Sequence, residues 1–374
     1  MRIVAAIDSF KGSLTSLEAG EAVAKAAARA LPGSIVSGFP LADGGEGTVE
    51  ALCAGLGGQK IDAEVMGPLG EPVNAVYGVL PDGTAVMEMA AAAGITLVPK
   101  ERRNPMYTTT FGVGQMITDA LDRGCRRFLM GIGGSATNDG GTGMLSALGF
   151  RFLDADGNPI ALNAAGLEKL NTIDANTADP RLREAVFRVA CDVKNPLYGE
   201  NGCSAVFGPQ KGASPEDIFK MDHWLQHYAA LSGGDSDHPG AGAAGGLGFA
   251  FLSYLHASLE PGVDIVLSET GLEEAVCSAD LVVTGEGRLD SQTVMGKAPI
   301  GVAKLAKKHG KPVIAFSGCV TRDASVCNDH GIDAFFPIVR GAISLEEAMD
   351  PETAGQNLCE TAEQVFRLFG LAGK

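Results

Sequence analysis

Positive charge is scarce in this chain of 374 residues, which has 29 Lys and Arg residues against 45 Asp and Glu and a formal net charge of −16. So acidic a protein lacks the broad basic surface by which nucleic acids and anionic membranes are bound. We therefore expect neither a nucleic acid nor a membrane as a partner. Any phosphate that the protein binds must be held by a few local cations or by backbone N–H groups.

The sequence also lacks long apolar runs and paired cysteines. No uninterrupted hydrophobic stretch reaches the roughly 20 residues of a membrane span. The short apolar run at the N-terminus is closed by Asp8 and Lys11, which predicts a first strand rather than a secretion signal. The eight cysteines are dispersed without a CxxC pair, so neither a zinc site nor a disulfide framework is indicated. We expect a reduced, cytoplasmic protein.

Two familiar nucleotide-binding motifs are missing. No Gly-Lys pair in the chain is followed by Ser or Thr, so there is no Walker A motif. Residues 240–245, GAGAAG, match GxGxxG, but the polar residues 235–239, DSDHP, precede them where a strand would be required. If the protein is a kinase, it is not a P-loop enzyme.

Apolar periodicity predicts alternating strands and helices at both ends of the chain. Residues 2–7 and 35–42 are predicted as strands and 17–31 and 46–56 as helices, a βαβα order that is typical of parallel sheets. The same rhythm returns near residue 279. Between these ends, short strands separated by Pro-Leu-Gly and Pro-Asp-Gly turns indicate antiparallel pairing. The sequence therefore predicts a two-domain α/β protein, with a discontinuous domain of residues 1–57 and 279–374 and an inserted α/β domain of residues 58–278.

A glycine-rich loop, GIGGSATNDGGTG, occupies residues 131–143 between a predicted strand and a predicted helix. Glycines let the backbone approach a ligand closely, and a helix N-terminus presents unpaired N–H groups to an anion. The loop also carries four polar side chains that could contact an anion, a sugar hydroxyl or a metal: Ser135, Thr137, Asn138 and Asp139. The alternative is an ordinary strand-to-helix turn with an Asp or Asn cap.

Polar residues also follow other predicted strands, where ligands bind in open parallel sheets. These segments are DSFKGS at 8–13, DGGEG at 43–47, DVKN at 192–195 and GEGRLDSQT at 285–293. Asp8 could hold magnesium or cap a helix, and Lys11 could neutralise phosphate. Asp43 and Glu46 are spaced i, i+3, so they could share a helix face or simply complement the helix dipole.

Six segments together resemble the bacterial class I glycerate kinases, and they occur in the family's order over nearly the whole chain. They are residues 8–16, 41–48, 131–143, 191–199, 207–213 and 283–293. The resemblance implies ATP-dependent phosphorylation of D-glycerate to 2-phosphoglycerate with Mg²⁺, in a two-domain protein with a flavodoxin-like part. It also implies a place in sugar acid catabolism, in the glucarate, galactarate and glyoxylate pathways.

Several alternatives remain open at this point. The 3-hydroxyl is one carbon from the 2-hydroxyl, so a 3-kinase that forms 3-phosphoglycerate is equally compatible with the chemistry. A sugar acid binding protein without catalysis is a second alternative, and a nicotinamide dehydrogenase is a third that lacks its fingerprint motif. The sequence does not decide between a monomer and a homo-oligomer.

Phosphoryl transfer depends mainly on alignment and on neutralising the charge of the phosphoryl oxygens, which suggests roles for the collected residues. The predicted catalytic residues are Asp8, Lys11 and Asp192, with Asp192 accepting the hydroxyl proton. The predicted nucleotide and phosphate contacts are Gly133, Gly134, Ser135, Thr137, Asn138, Asp139 and Lys297. The predicted substrate contacts are Ser9, Asn195, Lys211 and Arg288. The predicted magnesium ligands are Asp8, Glu286 and Asp290, with Asp192 as a further candidate.

Overall fold

The structure is a computed structural model that describes residues 1–42, 44–45 and 47–372. Asp43 and Glu46 therefore lie outside the described residues. In chain order the strands are β1 (Arg2–Ile7), β2 (Ile35–Pro40), β3 (Gln59–Met66), β4 (Pro72–Val79), β5 (Thr84–Glu88), β6 (Arg127–Gly131), β7 (Arg151–Leu153), β8 (Thr172–Asp174), β9 (Val186–Ala190), β10 (Ser258–Glu260), β11 (Leu281–Leu289), β12 (Val313–Val320) and β13 (Ala334–Pro337).

The α-helices are named in the same way, in chain order. They are α1 (Ser16–Ala30), α2 (Thr48–Leu56), α3 (Ala90–Ala93), α4 (Phe111–Asp122), α5 (Thr142–Ala147), α6 (Cys203–Phe207), α7 (Pro215–Ser232), α8 (Ala243–Leu255), α9 (Gly262–Glu269), α10 (Leu272–Ser278), α11 (Ala298–Lys308), α12 (Val326–Asp329), α13 (Leu345–Met349) and α14 (Pro351–Ala372). Across the described part of the chain, no helix is both long enough and apolar enough to span a membrane.

The chain divides into two compact units, of which the first comprises Met1–Asp43, Glu50–Leu56 and Val263–Lys374. Its five strands are all parallel and lie in the order β13-β12-β11-β1-β2. Numbered along the unit alone, this is the order 2-1-3-4-5 of flavodoxin-like sheets. The predicted discontinuous, flavodoxin-like α/β part is confirmed.

Local signals in the sequence explain how the first unit begins. Strand β1 is buried along its length after Arg2, as expected of a central strand that is covered on both faces. Helix α1 begins at a capping box in which the Thr15 hydroxyl accepts from the Glu18 N–H and the Glu18 carboxylate accepts from the Thr15 N–H. The apolar stripe of α1 and that of α14 belong to one hydrophobic core with β1, β11 and β12.

The second unit comprises Gly44–Val49 and Gly57–Gly262. Its six-stranded sheet has the order β10-β9-β6-β5-β4-β3, in which β3, β4 and β5 pair antiparallel and the remaining neighbours pair parallel. A separate hairpin-like pair is formed by β7 and β8. The predicted inserted α/β part of mixed character is confirmed as a fold class. The predicted domain boundaries, at 57/58 and 278/279, stay predictions, because a compact unit is not by itself an independently folding domain.

Strand β11 is longer than the sequence indicated. Residues 285–293 were expected to follow the strand, but β11 continues to Leu289 and pairs with β12 as far as Val320. Within this extension Glu286 is buried and Arg288 is exposed. The polar residues of this segment thus start on the strand itself.

We predict that two glycines in helix interiors respond oppositely to substitution by alanine. Gly20→Ala on α1 should stabilise the protein by about 0.5–1 kcal/mol, because a Cβ there meets no atom within 4 Å and alanine is the better helix former. Gly114→Ala on α4 should destabilise by roughly 1–3 kcal/mol, because its Cβ would lie 2.2 Å from the Met144 carbonyl oxygen.

Urea denaturation followed by circular dichroism measures both changes, and fluorescence of the single tryptophan, Trp224, follows the unit that contains Gly114. Each variant serves as the control for the other, since the intrinsic helix propensity gained is the same. Equal shifts in the two variants would contradict the close approach of α4 to α5.

Candidate functional site

The candidate site of the first unit lies at the switch point of its sheet, between β1 and β11. Strand β1 pairs with β2 along one edge and with β11 along the other, so the connections that leave β1 and β11 run in opposite directions across the sheet. Such a switch point is where open α/β sheets bind ligands. A cavity of about 750 Å³ opens at this edge, and its polar lining includes Asp8, Ser9, Lys11, Glu286, Arg288 and Lys297.

The loop after β1 places Asp8, Ser9 and Lys11 on one wall of the cavity. The Asp8 N–H donates to the Gly285 carbonyl at 2.9 Å, which extends the β1–β11 pairing by one residue. The Asp8 carboxylate accepts from the Ser9 N–H at 2.7 Å, and the Asp8 residue is only 7% exposed. The turn that follows is closed by reciprocal hydrogen bonds between Phe10 and Leu14. The structure therefore brings these three predicted residues together.

Glu286 is the buried carboxylate of the opposite wall. It is 6% exposed, accepts a 2.6 Å hydrogen bond from the Thr293 hydroxyl and lies 3.5 Å from the Lys297 ammonium. Burial raises the pKa of Glu286, and the Thr293 hydroxyl and the Lys297 charge counter that rise in part. Burial therefore disfavours the ionised form of Glu286, and carboxylates with raised pKa values are typical of functional sites.

Asp290 lies behind the cavity lining and contacts two of its cations. Its Oδ1 is 3.7 Å from Lys297 Nζ, and its Oδ2 is 3.3 Å from Arg288 Nε. Its Oδ1 also accepts from the Gln292 N–H at 3.0 Å. Because the Asp290 carboxylate contacts both cations and a backbone N–H, the structure favours a role for Asp290 in positioning Lys297 and Arg288. Its predicted role as a magnesium ligand stays a prediction.

The carboxylates suit a magnesium ion that arrives with a phosphate ligand better than a resident metal. Among the described residues, no group of three or more His, Cys, Asp and Glu side chains is arranged to hold a metal ion. Mg²⁺ is commonly held by one or two carboxylates, with the rest of its coordination supplied by phosphate oxygens and water. Asp8 and Glu286 line one cavity and provide such a pair of oxygen donors.

In the second unit, the glycine loop is organised around Asp139. This side chain is fully buried and accepts hydrogen bonds from the Thr110 N–H at 2.9 Å, the Thr110 hydroxyl at 2.8 Å, the Gly141 N–H at 3.1 Å and the Gly143 N–H at 3.3 Å. Burial raises the pKa of Asp139, and these four donors counter the rise. The start of α5 is thus capped by the protein's own carboxylate, so the geometry favours a structural role for Asp139.

The other predicted contacts of the loop differ in accessibility. Thr137 and Asn138 are fully buried, and the Asn138 amide donates to the Ser204 hydroxyl at 2.8 Å. Gly133 and Gly134 are exposed. Only the first part of the loop therefore offers backbone N–H groups to a ligand, whereas the later part is interior.

Lys211, a predicted substrate contact, is a buried cation next to this loop, and the sequence did not indicate its burial. The residue is 3% exposed, and its ammonium donates to the Ser135 hydroxyl and to the Thr137 carbonyl, each at 2.7 Å. Burial lowers the pKa of Lys211 to about 8. Neither hydrogen-bond acceptor is charged, so an anion at Ser135 would improve the environment of the ammonium.

Asp192 and Asn195 follow strand β9 in the second unit. Asp192 is exposed, and its carboxylate accepts from the Gly262 N–H at 3.1 Å. The Asn195 amide donates to the Asn201 carbonyl at 2.8 Å. The predicted residues therefore form two groups, one in each unit: Asp8, Ser9, Lys11, Glu286, Arg288, Asp290 and Lys297 in the first, and Gly133–Asp139, Asp192, Asn195 and Lys211 in the second.

Sequence reasoning missed the apolar wall of the cavity in the first unit. This wall comes from the segment after β13 and includes Ile338, Ile343, Leu345 and Met349. This segment follows a strand, but the strand-end rule was not applied to it. Thr293, the hydrogen-bond donor to Glu286, belongs to the predicted polar segment 285–293, but no individual role was predicted for it.

Comparisons with known proteins give a consistent result. The model of the glycerate kinase family matches residues 3–370. The chain is 50% identical to "Glycerate kinase" of Bacillus subtilis (strain 168), covering 100% of this chain and 98% of that protein. It is 49% identical to "Glycerate 2-kinase" of Escherichia coli (strain K12), covering 98% and 97%. The crystal structure of a "putative glycerate kinase 2" from Salmonella typhimurium LT2 matches with a TM-score of 0.92 and 46% identity, covering 100% of this chain and 99% of that chain.

We predict that Glu286→Gln stabilises the protein in a pH-dependent manner. Because the pKa of Glu286 is raised in the folded state, the folded protein disfavours the charged form once the pH exceeds the ordinary value of 4.5. The variant should therefore melt near the wild-type temperature in acid and above it at neutral pH. The lost contact with Lys297 offsets little, because that side chain is 38% exposed.

Melting temperatures across the acid to neutral range measure this difference. Glu274→Gln, at an exposed position of the same unit, is the matched control and should show no comparable trend. A gap between Glu286→Gln and wild type that does not widen with pH would show that the charge of Glu286 carries no burial cost.

Proposed function

Because the chain belongs to the glycerate kinase family and is accordingly a kinase, we propose that it transfers the γ-phosphoryl group of ATP to D-glycerate and releases 2-phosphoglycerate. Membership of an enzyme family sets aside the alternative of a sugar acid binding protein without catalysis. The observation that carries the proposal at the level of the site is the cavity at the switch point of the first unit. This cavity is lined by two buried carboxylates and by three cations, which are Asp8, Glu286, Lys11, Arg288 and Lys297.

We propose that this cavity of the first unit holds the nucleotide. Its volume of about 750 Å³ falls within the roughly 300–1,000 Å³ of small-molecule pockets. Lys11, Arg288 and Lys297 offer positive charge to the phosphates, and the wall formed by Ile338 and Met349 offers an apolar surface to the base. The proposal requires no P-loop, since the phosphates are met by side-chain cations at strand ends.

The cations of the cavity are the residues that would act on the phosphoryl group. The transition state of phosphoryl transfer is loose and spreads negative charge over the phosphoryl oxygens. Lys11, on the loop after β1, and Lys297, at the N-cap of α11, would stabilise that charge. Magnesium, held by Asp8 and Glu286, would add further charge neutralisation at the phosphates.

The groups of the second unit are proposed to serve the acceptor. Lys211 would bind the glycerate carboxylate through its ammonium, with the Ser135 hydroxyl beside it. Asp192 is the proposed acceptor of the hydroxyl proton, and Asn195 is a proposed substrate contact. Ser9 of the first unit is a further proposed substrate contact. These assignments rest on the chemistry of the side chains and, except for Lys211, on positions after strands.

The choice of the 2-hydroxyl is supported by the relative from Escherichia coli, which is named a glycerate 2-kinase and is 49% identical over nearly the whole chain. We further propose that the reaction serves sugar acid catabolism in the cytoplasm, as the family resemblance implies. Formation of 3-phosphoglycerate is the alternative, since the two hydroxyls differ by one carbon in position.

We predict that the purified protein releases ADP from Mg·ATP when D-glycerate is added, and that its product is consumed directly by enolase. Enolase acts on 2-phosphoglycerate, whereas phosphoglycerate kinase acts on the 3-isomer, so feeding the product to each coupling enzyme separately identifies the position. Product seen only by phosphoglycerate kinase would establish the alternative. No ADP release would overturn the proposed function.

Lys11→Met should lower kcat by about 10²–10³-fold, the usual cost of removing one group that stabilises transition-state charge. Lys304→Met is the matched control, because Lys304 is exposed on α11 and does not line the cavity. Melting temperatures near wild type would show that both variants fold. Normal turnover of a folded Lys11→Met protein would remove Lys11 from the proposed mechanism.

We predict that the KM for D-glycerate rises as the pH is raised through about 8, the pKa of Lys211. Above this value the amine is neutral and no longer attracts the substrate carboxylate. Lys211→Met should have a KM raised by about 10–100-fold at neutral pH, as a lost charge-assisted hydrogen bond costs about 1.5–3 kcal/mol. In that variant the rise of KM near pH 8 should disappear.

Steady-state kinetics with glycerate as the varied substrate measure both effects. Lys169→Met, at an exposed position of the same unit, should retain the wild-type pH profile. A wild-type KM that stays constant through this pH range would separate Lys211 from substrate binding without affecting the nucleotide proposal.

A further inference from the structure

Thr293 is a fully buried residue of the short connection between β11 and α11. Its hydroxyl oxygen accepts from the Asp290 N–H at 3.2 Å, and the hydroxyl donates to the Glu286 carboxylate at 2.6 Å. Its carbonyl accepts from the Lys297 N–H at 3.3 Å. One residue therefore contacts three polar residues of the candidate site, although Thr293 itself is not part of the cavity lining that the structure describes.

The direction of the hydrogen bond between Thr293 and Glu286 follows from the other contact of the hydroxyl. A backbone N–H can only donate, so the Asp290 N–H uses a lone pair of Thr293 Oγ1. The hydroxyl hydrogen is then available for Glu286 Oε1, and an ionised carboxylate can only accept it. The length of 2.6 Å is that of a charge-assisted hydrogen bond. The surroundings of Thr293 thus make it a donor to Glu286.

This hydrogen bond gives the two oxygens of Glu286 different partners. Oε1 is held by Thr293, whereas Oε2 lies 3.5 Å from Lys297 Nζ. The terminal torsion of a glutamate has only a broad preference, so rotamer preference alone does not fix the plane of the carboxylate. The bond from Thr293 does fix this plane. Without it, the carboxylate would be free to rotate and to pair with Lys297 through both oxygens.

A second buried threonine of the same region offers a contrast. Thr284, on β11, is also 0% exposed, but its hydroxyl has no hydrogen-bond partner among the described residues. Replacing this hydroxyl by a methyl group removes an unpaired polar group and breaks no hydrogen bond. Thr284→Val therefore makes the same chemical change as Thr293→Val at a position that does not contact the candidate site.

We propose that Thr293 is a positioning residue for nucleotide binding, which orients the Glu286 carboxylate towards the metal ion that accompanies the phosphates. The inference rests on the proposed function, in which this cavity holds the nucleotide and Asp8 and Glu286 hold magnesium. Thr293 does not contact the ligand. It acts through Glu286, because holding Oε1 keeps Oε2 from turning away and leaves the Lys297 ammonium available to the phosphates.

The test is the binding of the non-hydrolysable ATP analogue AMP-PNP to the full chain, measured by isothermal titration calorimetry with Mg²⁺ and again with EDTA. With Mg²⁺, we expect Thr293→Val to weaken binding by about 10–100-fold, the usual effect of losing a hydrogen bond to a charged group. With EDTA, the change should stay within about twofold, because Glu286 then has no metal ion to hold. Thr284→Val is the matched control and should bind as the wild type does under both conditions.

Three further measurements distinguish positioning from a merely structural effect. Thr293→Ser keeps the hydroxyl and should restore most of the Mg²⁺-dependent affinity. In steady-state kinetics, Thr293→Val should raise the KM for Mg·ATP and leave the KM for D-glycerate unchanged, whereas partial unfolding would lower kcat alone. In the Glu286→Gln background, Thr293→Val should have no further effect on Mg²⁺-dependent binding, since the two residues act as one unit.

The outcomes separate this inference from the proposed function. If the wild type shows no Mg²⁺-dependent binding of AMP-PNP, the proposed nucleotide site is wrong and the role of Thr293 fails with it. If the wild type binds but folded Thr293→Val binds within about twofold of it, or loses as much affinity with EDTA as with Mg²⁺, only the role of Thr293 is overturned. Melting temperatures identify the folded variants, and Thr293→Ala gives the same comparison if the valine variant does not fold.

Discussion

The parallel pairing of β1 with both β2 and β11 is the constraint on which the candidate site depends. β1 is contributed by the start of the chain and β11 by its last third, yet their ends lie side by side and the Asp8 N–H continues the pairing onto Gly285. Asp8 and Glu286 line one cavity only because of this pairing. Bringing β1 and β11 together closes a loop of more than two hundred residues, which costs conformational entropy. Burial of the apolar core shared by β1, β11, α1 and α14 must offset that cost.

Three buried charges show different ways in which the fold compensates for lost hydration. Asp139 is surrounded by four hydrogen-bond donors and is complete without a ligand. Glu286 has one hydroxyl donor and a half-exposed lysine at 3.5 Å, so its compensation is partial. Lys211 has two neutral acceptors and, among the described residues, no charged partner in contact. The last two therefore gain most from a ligand of opposite charge, a cation for Glu286 and an anion for Lys211.

The sequence predicted the architecture well because its signals for strands and helices are local. Alternating elements at both ends and the Pro-Leu-Gly and Pro-Asp-Gly turns between β3, β4 and β5 led to the observed parallel and mixed sheets. The rule that ligands bind at strand ends selected Asp8, Lys11 and Glu286 among others, and the structure places these three in one unit. An Asp cap was the alternative for the glycine loop, but the full set of donors to Asp139 was not predictable, because it includes Thr110, which lies 29 positions earlier and approaches only in the folded chain. The burial of Lys211 by Ser135 and Thr137 depends on long-range packing in the same way.

Helix α11 has residues at each end that complement its dipole or use it. Its N-terminus has partial positive charge, and there Lys297 is placed with Glu286 and Asp290 at the cavity. Its C-terminus has partial negative charge, which favours the cations of its last turn, Lys307 and Lys308. The dipole of α11 thus adds to the positive charge that Lys297 brings to the cavity, and the opposite end of the helix is compensated by its own lysines.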